Sequence, residues 1–251
     1  MTSPARALLN AGSTPSRPAP MTVQMSDALF SHDRDLARER GARYVCGADE
    51  VGHGAWAGPL VVAAVRFDYD RLDSDPGALE RLARLRDSKD LKPDQRAALL
   101  PVIMEAADMV ATVVVSVAQI DRDGARASTM CAFGGALRSV ARRDSVNLVD
   151  WHELPEDEAR GFDHPPQAVK GGDGASAAIA AASIVAKETR DQIMGWLDAQ
   201  YPGYEFAVHK GYGGGKGDHE AALLKMGCLS PVHRKSVRAK VFAELGLDQA
   251  A

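Results

Sequence analysis

The sequence predicts an α/β fold, a mixed β-sheet flanked by helices with a small helical C-terminal lobe. Three observations lead there. Two β-prone apolar runs at 43–48 and 60–67 flank a glycine-rich stretch, strand and helix patterns alternate from 93 to 199, and the last fifty residues turn to glycine clusters and short helical pieces. With 251 residues, 45% of them apolar, the chain is long enough to bury one sizeable core.

Residues 1–26 hold Arg6 and Arg17, no acid, and many Ala, Ser and Pro, so positions 1–40 are expected to form a flexible N-terminal tail. An organelle-transit segment is the weaker reading of the same composition. The main domain is expected over 41–200 and the helical lobe over 201–251. Within the main domain, the runs at 43–48 and 60–67 read as strands joined by a tight loop at 52–59. Residues 68–92 are polar and contain Asp87-Ser88-Lys89, and Pro93-Asp94 then opens a helix to about 107. Residues 109–117 form a valine-rich pattern typical of a buried strand. A helix over 120–142 is weakened by Gly124, Gly134 and Gly135. A short strand at 146–149 ends on Asp150. After an acid- and proline-rich loop, Ser176 is placed to cap a strong helix over 176–199, whose alanines permit close packing on a sheet. Short helices are expected near 219–226 and 236–245.

Lys and Arg total 30 against 34 Asp and Glu, so the charge of −4 does not mark a generic nucleic-acid binder. Any such binding needs a local patch, and residues 202–240 supply one: seven Lys or Arg and three acids give a local net charge of +4. Cys46, Cys131 and Cys228 lie far apart without a C-x-x-C pair, which argues against a zinc or disulfide scaffold and fits a reducing cytoplasm. No apolar run reaches the roughly 20 residues of a membrane span, so a soluble, monomeric protein with no membrane partner is expected.

Most of the acids must be solvated, and the informative ones stand where apolar strands end. Asp49-Glu50 closes the first strand, Asp150 closes the strand at 146–149, and Asp173 follows a glycine pair before the long helix. Carboxylates gathered at low dielectric repel, and oxygen-ligated divalent cations remove that cost. Mg²⁺ or Mn²⁺ suits such a site, and two ions can drive phosphodiester hydrolysis without a protein nucleophile. Taken singly, each Asp is equally at home as a turn former or helix cap. The glycines at 52–58 do not form a dinucleotide fingerprint, because a strand and not a helix follows them; they permit close backbone approach to a sugar-phosphate, or simply a turn. Tyr212, in a basic glycine loop, is the aromatic best placed to stack on a nucleotide, unless it packs on the lobe's own core. His209, His219 and His233 fit no zinc spacing.

Gly47-Ala48-Asp49-Glu50-Val51-Gly52-His53-Gly54 followed by Ala57-Gly58-Pro59-Leu60 resembles the opening signature of the type 2 ribonuclease H family, bacterial ribonuclease HII. Asp87-Ser88-Lys89, Leu148-Val149-Asp150, Lys170-Gly171-Gly172-Asp173 and the helix around Ala182-Ser183-Ile184-Val185-Ala186-Lys187 resemble its later motifs in order. Tyr201-Pro202-Gly203-Tyr204, His209-Lys210-Gly211-Tyr212-Gly213 and Ser230-Pro231-Val232-His233-Arg234 complete a similarity running from about 43 to about 237. The resemblance implies a ribonuclease H-like sheet and an endoribonuclease that cuts the RNA strand of RNA–DNA hybrids and ribonucleotides embedded in duplex DNA. It implies that Asp49, Glu50, Asp150 and Asp173 are catalytic and hold two metal ions. It further implies that Gly52, His53 and Gly54 read the ribose 2′-hydroxyl, that Ser88, Lys89 and Lys187 contact substrate, and that Tyr212 packs against the sugar beside the scissile ribonucleotide.

The chain departs from the family pattern in several places. His53 stands where the family has arginine, Trp151 where a glycine follows the third Asp, Asp90 where a second lysine is frequent, and Gly214-Gly215 where threonine is common; Gly172 resembles an insertion. Two other readings therefore stay open: a catalytically weakened hybrid- or junction-binding relative, and a metal-dependent small-molecule phosphohydrolase. The basic lobe and Tyr212 argue against the second of these.

Overall fold

A computed structural model describes residues 21–213 and 219–247. In chain order the elements are α1 (Met21–Glu39), β1 (Tyr44–Val51), β2 (Leu60–Asp68), α2 (Tyr69–Ser74), α3 (Pro76–Arg81), α4 (Pro93–Ala106), β3 (Met109–Val115), α5 (Val117–Asp123) and α6 (Ala125–Val140). There follow β4 (Ser145–Asp150), α7 (Glu156–Ala159), β5 (Gln167–Val169), α8 (Ala177–Gln200), α9 (Phe206–His209), α10 (His219–Met226) and α11 (Lys235–Glu244).

The five strands lie in the order β3-β2-β1-β4-β5, with β1, β2 and β3 antiparallel and β1, β4 and β5 parallel. Side chains alternate along each strand. Val45, Val61, Ala63, Val65 and Phe67 pack with residues of α1, α4 and α8, whereas Cys46, Ala48, Leu60, Val62 and Ala64 meet α6. Burial on both faces explains why β1 and β2 read as continuous apolar runs. Helix α8 begins as expected: the Ser176 hydroxyl accepts the Ile179 amide at 3.3 Å, and the buried alanines 177, 178, 180, 181 and 182 bring the helix close to β1 and β2.

Several expectations change. The tail expected over 1–40 is helical from Met21 to Glu39, and residues 1–20 lie outside the described residues. Leu29, Phe30 and Ala37 are buried at helical spacing, and Asp33, fully buried, accepts the Ala178 amide at 3.0 Å and the Tyr69 hydroxyl at 3.1 Å. This carboxylate sits at the positive end of the α8 dipole, where a negative charge is favoured. The helix expected over 120–142 is two, because Gly124 adopts φ +83° between α5 and α6. Strand β3, read as buried, is the sheet edge among the described strands, and Met109 and Val114 on it are about half exposed. Residues 68–92, read as polar, form α2 and α3, because Asp68 and Asp75 cap them by accepting the amides of Arg71 and Ala78 and because Tyr69, Leu72, Leu82 and Leu85 are buried in the core.

The lobe expected over 201–251 has a core of Tyr204, Phe206, Leu223 and Phe242, closed by Ala57 and Met194 from the main domain. Its three histidines are buried in that core. His209 and His219 stack at 4.0 Å, and His219 Nε2 lies 3.1 Å from His233 Nε2. They serve packing and turn hydrogen bonds, as where the Gly211 amide donates to His209 Nδ1 at 3.0 Å.

Candidate active site

Strands β1 and β4 run parallel with Ala48 opposite Val149, so Asp49 and Asp150 emerge side by side at the carboxyl ends of the sheet. Asp173 reaches the same place from the single helical turn Gly172–Gly174 after β5. One carboxylate oxygen from each of Asp49, Asp150 and Asp173 lies within 4.8 Å of the others. Glu50 stands beside this trio and is not part of it; its Oε1 lies 3.6 Å from His152 Nε2.

Asp49 and Asp173 are buried, at 5% and 6% exposure. Burial, with the Asp150 charge added, pushes the Asp49 carboxyl up to about 7; burial and the charges of Asp49 and Asp150 push Glu50 up to about 8. Burial raises Asp150 as well. The relief supplied by the chain is partial. The Glu50 amide donates to Asp49 at 2.8 Å, the Gly172 amide to Asp150 at 2.6 Å, and Lys89 Nζ to Asp173 at 3.0 Å. Gly172, the residue that resembles an insertion, therefore holds a catalytic candidate in place. A Cβ there would lie 2.5 Å from Ile179 Cδ1 and 3.2 Å from Asp150 Oδ1, so a larger residue would have to displace Ile179 to keep this amide at Asp150.

Beside the trio runs a groove of about 460 Å³. Gly52, His53, Gly54, Ser88, Lys89, Lys187 and Tyr212, scattered over 160 positions of sequence, all line it, together with Asp49, Glu50 and Asp150. Their surroundings differ. The His53 ring is spent on Thr129, Nδ1 to Oγ1 at 2.9 Å, and burial beside His152, Arg234 and Arg126 lowers its pKa. Ser88 is buried and shares a 2.6 Å hydrogen bond with Ser183, whose own bond to Asp49 opposes the rise of that carboxyl. Lys187 Nζ donates to Asp191 at 2.6 Å, and Asp191 also accepts from Arg96. The Tyr212 ring lies 5.0 Å from the Arg190 guanidinium.

The loop 52–59 is shaped by two fully buried arginines from distant parts of the chain. Arg190 of α8 donates to the carbonyls of Pro59, Ala57 and Lys210 at 2.8–3.0 Å. Arg234 donates to Gly58 at 2.8 Å, Gly52 at 2.5 Å and His53 at 3.1 Å. Gly52, at φ +98°, has no space for a side chain, since a Cβ would meet Arg190 Nε at 2.3 Å. Backbone bonds add to the clasp, from Trp56 to Gly211 at 2.7 Å and from Gly58 to Val232 at 2.9 Å. Arg234, one of the seven cations of the 202–240 patch, and Arg190 are structural, because all three Arg190 nitrogens and the Nε and Nη1 of Arg234 donate to backbone carbonyls. Their signal was present in the words Thr189-Arg190-Asp191 and His233-Arg234, but nothing local showed which carbonyls they face.

A family model described as Ribonuclease HII matches residues 46–242. The chain belongs to the ribonuclease HII family. Ribonuclease HII of Mycobacterium avium (strain 104) is 42% identical over 214 residues, covering 85% of this chain and 86% of that one. Ribonuclease H2 of Pyrococcus horikoshii OT3 superposes with a TM-score of 0.63 at 23% identity, over 81% of this chain and 99% of that one. Bst ribonuclease HIII, solved in complex with Mn²⁺, gives a TM-score of 0.52 at 21% identity, over 76% and 63%. These structural similarities establish the ribonuclease H-like fold, and the family membership makes the protein an endoribonuclease of the ribonuclease H class. Among the described residues, no helix is long and apolar enough to cross a membrane.

Proposed function

We propose that the protein cuts the RNA strand of RNA–DNA hybrids, and at ribonucleotides embedded in duplex DNA, using two Mg²⁺ or Mn²⁺ ions. The observation that carries this reading is the convergence of three carboxylates from three separate segments beside the groove that gathers every expected substrate-contacting residue. The donor set fits the ions: all ligands are oxygens, the carboxyls are pushed up by burial and mutual repulsion, and a hard divalent cation relieves both. Asp49, Asp150 and Asp173 would hold the metals, with Glu50 close enough to complete the set. When bound, the ions activate water and stabilise the leaving oxygen.

The chain's own residues orient the substrate. The clasped backbone of Gly52, His53 and Gly54 presents rigid polar groups to a ribose 2′-hydroxyl, the feature by which RNA differs from DNA. Tyr212, braced on Arg190, offers a flat surface to the adjacent sugar. Lys89 and Lys187 carry positive charge along the groove for phosphates. The basic surface of the lobe rests on Lys225, Lys235 and Lys240, which are exposed, with Lys210 half-buried; Lys216 and the side chain of Arg238 lie outside the described residues.

The departures from the family pattern leave the carboxylates seated, since the His53 ring turns to Thr129 and the Gly172 amide serves Asp150. That favours an active enzyme over a weakened binder. We further propose that it acts as a cytoplasmic monomer. The test is cleavage of a DNA duplex containing one ribonucleotide, and of a continuous hybrid, with Mg²⁺ or Mn²⁺ and with EDTA. Cleavage 5′ or 3′ of the ribonucleotide only with metal is expected; no cleavage of either substrate under any metal would overturn the reading.

A further inference from the structure

Trp151 directly follows Asp150, and its backbone is at φ +59°, a conformation that bulky L-residues avoid. The turn it makes is tight: the His152 amide donates to the Asp150 carbonyl at 2.6 Å, and the Trp151 amide donates to Val169 at 2.9 Å. Nothing in the core compensates, because the indole is 59% exposed. Of the residues outside glycine that share this conformation, Glu205 and Lys210 flank α9, where short polar turns tolerate it; Trp151 alone carries a large ring.

The ring also has a fixed companion. Strand pairing places Asp150 opposite Val169, so Trp151 and Lys170 are the next residues on each side, and Lys170 Nζ lies 5.1 Å from the indole centroid. Lys170 is itself exposed. One strand end thus presents a metal-binding candidate, a flat apolar face and an ammonium in immediate succession. A sugar-phosphate backbone has the matching alternation of an apolar sugar face and an anionic phosphate. Strained residues cluster at active sites and ligand clamps.

We propose that Trp151 and Lys170 form a substrate-binding platform, the indole packing on a sugar of the nucleic acid next to the cut site and Lys170 meeting its phosphate. This rests on the hybrid-cutting function proposed above. It adds a contact beyond the groove residues already named, since neither Trp151 nor Lys170 lines the groove beside Gly52 and Tyr212.

The experiment compares the full-length wild type with Trp151→Gly, Trp151→Phe and Lys170→Gln, measuring Kd for a labelled RNA–DNA hybrid in Ca²⁺, kcat and KM in Mn²⁺, and Tm. Trp151→Gly should raise Tm by about 2–4 °C as the strain is released, yet weaken Kd and raise KM by roughly tenfold, with a smaller change in kcat. Trp151→Phe should restore most of the affinity without the gain in Tm. Lys170→Gln should weaken binding by a few-fold and lower the salt dependence by about one released counterion. Unchanged Kd and KM in Trp151→Gly, or a fall confined to kcat, would overturn the platform and leave the turn a device for seating Asp150. A wild type that cuts no hybrid would instead overturn the function reading itself, so the two failures are distinguishable.

Discussion

Two regions of this molecule bury charge, and they do so to opposite ends. At the carboxyl ends of β1 and β4, Asp49, Asp150 and Asp173 crowd together with only a few donors between them, and burial pushes Asp49 and Asp150 upward. Around the loop 52–59, the guanidiniums of Arg190 and Arg234 are equally buried but face six backbone carbonyls. The first arrangement costs stability and is poised for a cation. The second gives the buried carbonyls their donors and the neighbouring loop a single shape, although burial disfavours the Arg190 charge. Function and rigidity are thus carried by charges of opposite sign on adjoining elements, and substitution should separate them.

The largest expected effect on activity is at the carboxylates. Asp49→Asn, Asp150→Asn and Asp173→Asn should each lower cleavage by more than about 100-fold while leaving the metal-free protein as stable as the wild type or more so. Glu50→Gln should do the same, and a milder loss would agree with its place outside the trio. Near-normal cleavage by any of these at limiting metal would remove that residue from the ligand set.

The arginines should show the reverse. Arg234→Ala strips donors from three buried carbonyls and should cost roughly 3–5 kcal/mol in urea unfolding, with Arg190→Ala similar. A cost below about 1 kcal/mol would mean that water or a rearranged loop replaces the clasp, and the comparison between the regions would fail.

Acid should divide the regions a third way. Burial lowers His219 to about 3 and His233 to about 4, so the unfolded chain takes up protons that these folded histidines refuse. Their contribution is present above the unfolded value of about 6.5 and is lost as pH falls toward 4. Asp49 and Glu50 act with opposite sign: raised in the fold, they stabilise the metal-free protein as pH falls through about 8 and 7. Urea midpoints measured without metal at pH 5 and pH 7.5 should therefore drop more steeply with acid in the Asp49→Asn, Glu50→Gln double variant than in the wild type. Parallel slopes would sink this assignment.

The smallest effect concerns His53. Sequence comparison alone makes it the telling departure, expected to gain charge near pH 6.5 and to grip substrate better as arginine. The structure moves that expectation, since the ring is bonded to Thr129 and burial shifts its protonation to lower pH. His53→Arg should change KM by no more than about threefold, about 0.7 kcal/mol. A tenfold fall in KM would show that the side chain reaches substrate after all.

Much of this protein is local in its sequence. The continuous apolar runs of β1 and β2, the Ser176 cap, the alanine face of α8 and the ordered words around Asp49, Asp150, Asp173 and Tyr212 each lie within a short window, because strand burial, helix pitch and capping act over a few residues. Read through the family resemblance, those windows point to three carboxylates that the fold brings together and to the residues that line one groove beside them. What they could not hold were contacts made across the chain. Asp33 caps α8 from 145 residues away, Arg234 reaches Gly52 across 182, and Lys187 is paired with Asp191 in a network that Arg96 joins from 95 positions away. A tail became a helix for the same reason: α1 is held by Leu29, Phe30 and Asp33 meeting the sheet and α8, not by its own propensity. Charge type is written in the sequence, whereas whether a buried charge is satisfied depends on which distant backbone groups the fold brings to it.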